Sequence, residues 1–415
     1  MPNQTLPFDQ ALATVLAHAA ALPTPAATET LPLLDTLHRT LATPVLANRD
    51  QPPFDRSTRD GYAVRYADLP KPLQLVGSLR AGECWAGAPL APGQAIEIMT
   101  GAPIPPGADS VLMVEHTALS DTTLHPHPDR TLRPGENIVP RAAEARAGQT
   151  ILPRGRRLGP AELAVAASCG LAHLTVFPRP SVAIVATGDE LVELDQRPAD
   201  HQIHNSNSYA LAALVHEAGG NPIRLPIARD TLDDLRARLH EARSADLILL
   251  SGGVSMGKYD LVEQILAELG AEFFFTGALI QPGKPIVFGQ LLHASPTPYS
   301  LLPTPCFFGL PGNPISTQVC FHLFVVPLLR ALAGRTDLAP QFVEATLAED
   351  VPGGARVTRF LPAELTGSVH QATVRLTGWQ GSGDLAANAR GNAYVVLPAN
   401  TPHHPAGQAV RVLLR

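Results

Sequence analysis

Residues 246–260 read Asp-Leu-Ile-Leu-Leu-Ser-Gly-Gly-Val-Ser-Met-Gly-Lys-Tyr-Asp, and no other stretch limits the fold as tightly. A short apolar run meets a Ser-Gly-Gly turn, and a helix follows behind the capping signal of Asp260 and Glu263. A strand that delivers its chain into glycine-rich backbone ahead of a helix belongs to an open α/β sheet. There, bare N–H groups at the carboxyl end of the strand suit a phosphate-bearing ligand. The stretch comes close to a P-loop, since Gly252, Gly257 and Lys258 satisfy G-x-x-x-x-G-K. Tyr259 then stands where that loop needs a Ser or Thr hydroxyl for magnesium, and the helix signal begins only after the lysine, at Asp260. A P-loop is therefore excluded. No G-x-G-x-x-G follows a strand, so the dinucleotide fingerprint is absent too.

Strand–helix alternation surrounds this turn from 181 to about 332. Strands are predicted at 181–187, 222–227, 246–250, 273–275, 286–288 and 307–310. Asn207 is expected to cap a helix running to Gly219, and Thr231-x-x-Asp234 opens the next one. A helix that Pro327 should kink follows Pro-Gly-Asn-Pro at 311–314. The pattern predicts a doubly wound domain of parallel strands with helices on both faces.

At 415 residues the chain is too long for one core, and about two to four domains are expected. Residues 8–22 form an amphipathic helix with Ala11, Leu12, Val15, Leu16 and Ala19 on one face. From 53 to 140, short β-type runs (73–76, 95–99, 110–114) alternate with Pro/Gly turns. Pro160 opens a further helix and Gly170 closes it. The expected units are a discontinuous helical/mixed N-terminal domain (1–52 and 141–176), a β-rich domain (53–140), the α/β domain (177–333) and a C-terminal β domain (334–415).

A net charge of −6 gives no electrostatic reason to expect nucleic acid or an anionic membrane as partner. The four cysteines, Cys84, Cys169, Cys306 and Cys320, form no C-x-x-C pair and read as buried reduced thiols of a cytoplasmic protein. The first ten residues lack the basic and apolar regions of a signal peptide. The apolar stretch 319–332, broken by His322, Pro327 and Arg330, reads as too short to span a bilayer.

Ligands of a doubly wound domain bind at the carboxyl ends of its strands. The turns expected there carry Glu190, Asp230, the Ser251-Gly252-Gly253-Val254-Ser255 segment, Lys284, and Pro311-Gly312-Asn313-Pro314. Carboxylates beside a phosphate cradle make sense with a hard cation such as Mg²⁺ between them. Asp260 serves equally as a helix cap, and Glu190 and Asp230 as solvated turn residues. His125, His127, His201 and His204 lack metal-site spacing, and Ser255 lacks the partners of a nucleophile.

Seven motifs run in order along the chain: Asp60-Gly61-Tyr62-Ala63, Met99-Thr100-Gly101-Ala102-Pro103, Pro134-Gly135-Glu136-Asn137-Ile138, Thr187-Gly188-Asp189-Glu190-Leu191, Ser251 to Gly257, Pro282-Gly283-Lys284-Pro285 and Gly309 to Pro314. Together they make the chain resemble the molybdopterin molybdenumtransferases, the MoeA and gephyrin E-domain family. The resemblance implies insertion of molybdate into adenylylated molybdopterin, releasing AMP and forming molybdenum cofactor with Mg²⁺. It implies a cytoplasmic homodimer whose active site is shared between subunits, supplied by a molybdopterin adenylyltransferase upstream.

The same resemblance makes Asp60, Thr100, Glu190, Asp230 and Asp260 the catalytic set, with Glu190, Asp230 and Asp260 on the metal. It puts substrate at Ser251, Gly252, Gly253, Ser255, Gly257, Lys284, Pro311, Gly312, Asn313, Pro314, Ser316, Arg356 and Ser382. Gln281 stands where some members carry a second lysine. The alternative readings are a gephyrin-like scaffold, or an adenylyltransferase or pyridine-nucleotide hydrolase sharing only the α/β domain.

Overall fold

The apolar run at 247–250 lies at the centre of a six-stranded sheet. The computed structural model describes residues 4–253, 261–292 and 304–415. The strand order is Asn221–Arg224, Ser181–Ala186, Leu247–Ser251, Cys306–Leu310, Val287–Leu291 and Ala271–Phe275. Side chains alternate across it, as the period of a strand requires. Val182, Ile184, Leu247 and Leu249 enter one core with the helices Ser206–Glu217 and Val326–Leu332. Ala183, Val185, Ile248 and Leu250 enter another with Leu232–Ala242 and Leu261–Glu268. The sheet is doubly wound, with one correction to the parallel expectation. Val287–Leu291 runs antiparallel to both its neighbours.

Three further expectations change. The helix Ser206–Glu217 is capped by Asn205, whose side chain accepts from Ser208 N–H, and not by Asn207. Cys84 is exposed, although the other three cysteines are buried. The helical run Pro314–Leu332 has 19 residues and is long and apolar enough to cross a membrane by length and composition. Most of it is buried in the protein, as the central helix of a core. Its middle turn, Phe321–Val325, is π-helical, and Pro327, which has no N–H to donate, sits at the start of the α-helix beyond.

The helix Phe8–Ala21 places Ala11, Val15 and Ala19 in the core of the α/β sheet, beside Leu328 and Leu329. The chain then leaves to pair Glu29–Pro32 with His173–Val176, and Val45–Leu46 with Thr150–Leu152. Leu41, Val45, Leu158, Leu163 and Val176 form the core there. Between these two halves lies a six-stranded sheet built from Gly61–Val64, Leu73–Leu79, Gln94–Ile98, Ser110–Met113, Thr117–Ser120 and Thr123–Pro126. A C-terminal six-stranded sheet includes Ile280–Gln281 of the α/β unit, paired in parallel with Thr358–Gly367. That pairing brings the C-terminal domain against the loop that carries Lys284.

Candidate active site

The carboxyl rim of the central sheet collects the sequence candidates in a line set by strand order. Asp230 follows the edge strand and Glu190 the next; Gly252 and Gly253 follow the centre, then Pro311 to Pro314, then Lys284. Gly252 and Gly253 have φ of +93° and +67°, where side chains are rarely tolerated. A β-carbon on Gly252 would lie 2.6 Å from the carbonyl oxygen of Thr187. Glycine there is a steric requirement. The Gly252 N–H donates to Leu310 O at 3.3 Å, which ties the turn to the neighbouring strand. The Gly253 N–H makes no hydrogen bond among the described residues. Ser251 is buried, and its hydroxyl accepts from Asn207 Nδ2 at 3.2 Å. The same nitrogen donates to Gly312 O at 2.7 Å, so Asn207 straps two of the rim turns together.

Beside this turn lies a cleft of about 600 Å³, floored by residues 280–285 and by Pro311, Asn313 and Ser316. Trp379, Gln380, Gly381 and Ser382 of the C-terminal domain close it. The size falls within the usual range of small-molecule sites. Lys284 is held by its backbone, because its carbonyl oxygen accepts from the N–H groups of Ala278 and Ile286, both at 3.0 Å. Its side chain stays exposed. Pro314 occupies the first turn of the helix Pro314–Cys320, where a missing N–H costs nothing. Thr317 Oγ1 donates back to Pro311 O (2.5 Å) and Asn313 O (3.1 Å), fixing the entry to the helix. The Ile315 N–H donates to Ser382 O at 2.9 Å, which seats the C-terminal domain on the same helix end.

The acids stand farther along the rim and do not line the cleft. Asp230 Oδ1 accepts from Thr187 Oγ1 at 2.7 Å, and the Asp230 N–H donates to Asp189 Oδ1 at 3.4 Å. The Glu190 carboxylate lies against Gly188, whose φ is +145°. Glu190 and Asp230 are both exposed.

Asp60 and Thr100 meet each other in the β-rich domain. Asp60 Oδ1 accepts from the Thr100 N–H at 2.7 Å and from Thr100 Oγ1 at 2.9 Å. The backbone N–H first, and then the hydroxyl, hold the Asp60 carboxyl below its ordinary pKa. Both residues are exposed, and no hydrogen bond or ion pair among the described residues joins them to the sheet rim.

The structure thus brings Lys284, Pro311, Asn313, Ser316 and Ser382 together at the cleft, with Gly252 and Gly253 on the central turn beside it. Ser255, Gly257 and Asp260 lie outside the described residues. Arg356 is exposed in the loop before Thr358–Gly367 and does not line the cleft. Sequence reasoning missed the Asn207 strap, the Thr187 hydroxyl on Asp230, and the Trp379 and Gln380 walls. Asn207 had a readable signal: a second Asn two positions after the residue that caps is free to do something else.

Three family models cover most of the chain. Residues 6–170 match the MoeA N-terminal region (domain I and II), 183–331 a "Probable molybdopterin binding domain", and 344–414 the MoeA C-terminal region (domain IV). A multidomain α/β protein with its cleft at the carboxyl rim is therefore the class these features define. A molybdopterin molybdenumtransferase of Nostoc sp. is 38% identical over 90% of this chain and 86% of its own length. One from Bacillus subtilis is 33% identical over 93% and 90%. A crystal structure of a molybdopterin biosynthesis MoeA protein from Pyrococcus horikoshii superposes with a TM-score of 0.77 at 27% identity, covering 99% of this chain and 100% of the other. The chain belongs to the molybdopterin molybdenumtransferase (MoeA) family.

Proposed function

We infer that this chain inserts molybdate into adenylylated molybdopterin and releases AMP, in the synthesis of molybdenum cofactor. The observation that carries this reading is the order along one rim: carboxylates, a glycine turn with an open N–H, then a roomy cleft with a held lysine. A phosphoanhydride needs N–H donors and cationic charge at its phosphates, and in this reading the Gly253 N–H and Lys284 supply them. The Lys284 ammonium also attracts molybdate, itself an anion. Trp379, the aromatic residue of the lining, suits stacking on a flat ring system. Ser316 and Ser382 supply further polar groups at the cleft.

Glu190 and Asp230 carry hard carboxylate oxygens of the kind Mg²⁺ takes, one or two from protein with phosphate and water completing its shell. No group of three or more His, Cys, Asp or Glu residues suited to a metal occurs among the described residues. Glu190, Asp230 and Asp260 are the residues we assign to hold the ion. When bound, it would offset charge on the phosphate oxygens.

Asp60 and Thr100 join the site from a second subunit in this reading. Its support is that both residues are exposed, with the Asp60 carboxylate fixed by the two Thr100 donors and so preorganised to act on a group outside its own domain. The four cysteines are unpaired, which suits a reducing cytoplasm. Expression in a bacterium deleted for its own molybdopterin molybdenumtransferase tests the function. Restored molybdenum-enzyme activity is expected, and lost again with Lys284→Ala. Failure to restore it with a folded, abundant protein would contradict the assignment.

A further inference from the structure

A second cavity, of about 210 Å³, opens on the far side of the α/β unit. The helix Ser206–Glu217 ends at its wall, just before the strand Asn221–Arg224 begins, so the cavity lies by the amino ends of the strands. Three units meet there. The α/β unit brings His322 and Arg330, the discontinuous unit Arg157, and the C-terminal domain Arg415. Arg335 completes a set of four arginines, against Glu217 as the carboxylate in the lining.

The charges are poorly compensated. Arg335 is paired with Asp337 through Nε at 2.8 Å. No carboxylate among the described residues forms an ion pair with Arg157, Arg330 or Arg415. Arg415 spends Nη1 and Nη2 on Asn388 and the Gly391 carbonyl, and Arg157 Nη2 lies 3.0 Å from His38 Nδ1, so Arg330 carries the most unused donors. Arg330 is half-buried and anchored on one nitrogen only. Its Nη1 donates to Ala339 O at 2.8 Å and Asp337 O at 3.3 Å, and its other nitrogens make no hydrogen bond among the described residues. A guanidinium fixed at one corner with its other donors unused is preorganised for an oxyanion. His322, on the π-helical turn, buries its Nε2 without a partner, and native interiors seldom leave such an atom unmet. Burial lowers the pKa of His322 most, with Arg415 and Arg330 adding to it, so these groups share one positive field.

We propose that this cavity binds a tetrahedral dianion of the phosphate and sulfate class, held by Arg330, Arg157 and His322 Nε2, with Arg415, whose terminal nitrogens serve Asn388 and Gly391, adding positive field from the C-terminal domain. The ion receives N–H donors from arginines that otherwise repel one another, and His322 donates from Nε2 in the tautomer protonated there. The proposal stands apart from the transferase reading, because no residue of this cavity lines the main cleft.

Calorimetric titration of the full chain with sodium sulfate, against sodium chloride at matched ionic strength, tests it. A Lys284→Gln background removes the cation of the main cleft. Saturable binding of one ion per chain should persist in that background. Arg330→Gln should weaken it by about tenfold or more, the size of one lost charge-assisted contact. Arg157→Glu changes an exposed side chain, so its folding is not in question, and it should weaken binding similarly. Phosphate should match sulfate. The proposal fails if binding disappears with Lys284→Gln alone, or survives Arg157→Glu and Arg330→Gln unchanged. Saturation by molybdate with sulfate and phosphate inert would also overturn it.

Discussion

Gly252 shows how one missing β-carbon shapes the rim. Its φ of +93° is shared by Gly82 at +89°, but a β-carbon at Gly82 would meet nothing within 4 Å. The two therefore separate backbone strain from collision. Gly82→Ala should cost about 1 kcal/mol of unfolding free energy through φ alone. Gly252→Ala should cost clearly more in the same urea titration, because the Thr187 carbonyl must move; equal losses would mean the turn yields without resistance. His322 makes a pH prediction. Its pKa falls from 6.5 to about 4 on folding. The unfolded chain then binds the extra proton between those values, so stability is full above pH 6.5 and lost as pH falls toward 4. The loss is roughly 3 kcal/mol. His322→Asn should flatten that part of the stability–pH curve relative to wild type. A curve with undiminished slope would assign the acid sensitivity to other groups.

Among the elements, the helix Phe8–Ala21 belongs to the sheet it covers. Val15 is fully buried in the α/β core, so Val15→Asp should destabilise that unit by about 3 kcal/mol or more, measured by thermal unfolding. A near-normal melting temperature would mean the helix can leave without cost. The sequence announces this helix through its apolar stripe, but a stripe does not say which surface it will cover. The same gap explains the antiparallel strand Val287–Leu291, since strand direction leaves no trace in alternation. By contrast, Pro160 and Gly170 bracket their helix as read, with Gly170 at φ +76° just past its end. The rim was legible because glycine turns and carboxylates sit where apolar strands stop. The cleft's outer wall was not, because Trp379 and Ser382 reach it only through the docking of a distant domain.

At the scale of the whole molecule, the central question is where the Asp60–Thr100 pair works. If the site is completed across a dimer, two defective chains can repair each other. Asp60→Asn and Lys284→Ala should each be inactive alone. Refolded together, they should regain activity, since one of the two sites in a mixed dimer carries no lesion. No recovery, despite mixed dimers seen by mass spectrometry, would place both residues in one subunit's site.

The most direct measurement is a single incubation of purified chain with adenylylated molybdopterin, molybdate and Mg²⁺, counting AMP released against molybdenum bound to pterin. The account predicts that both products appear, in equal amounts and only with all components present. No AMP and no molybdenum-bearing pterin, from protein that is folded, would contradict it.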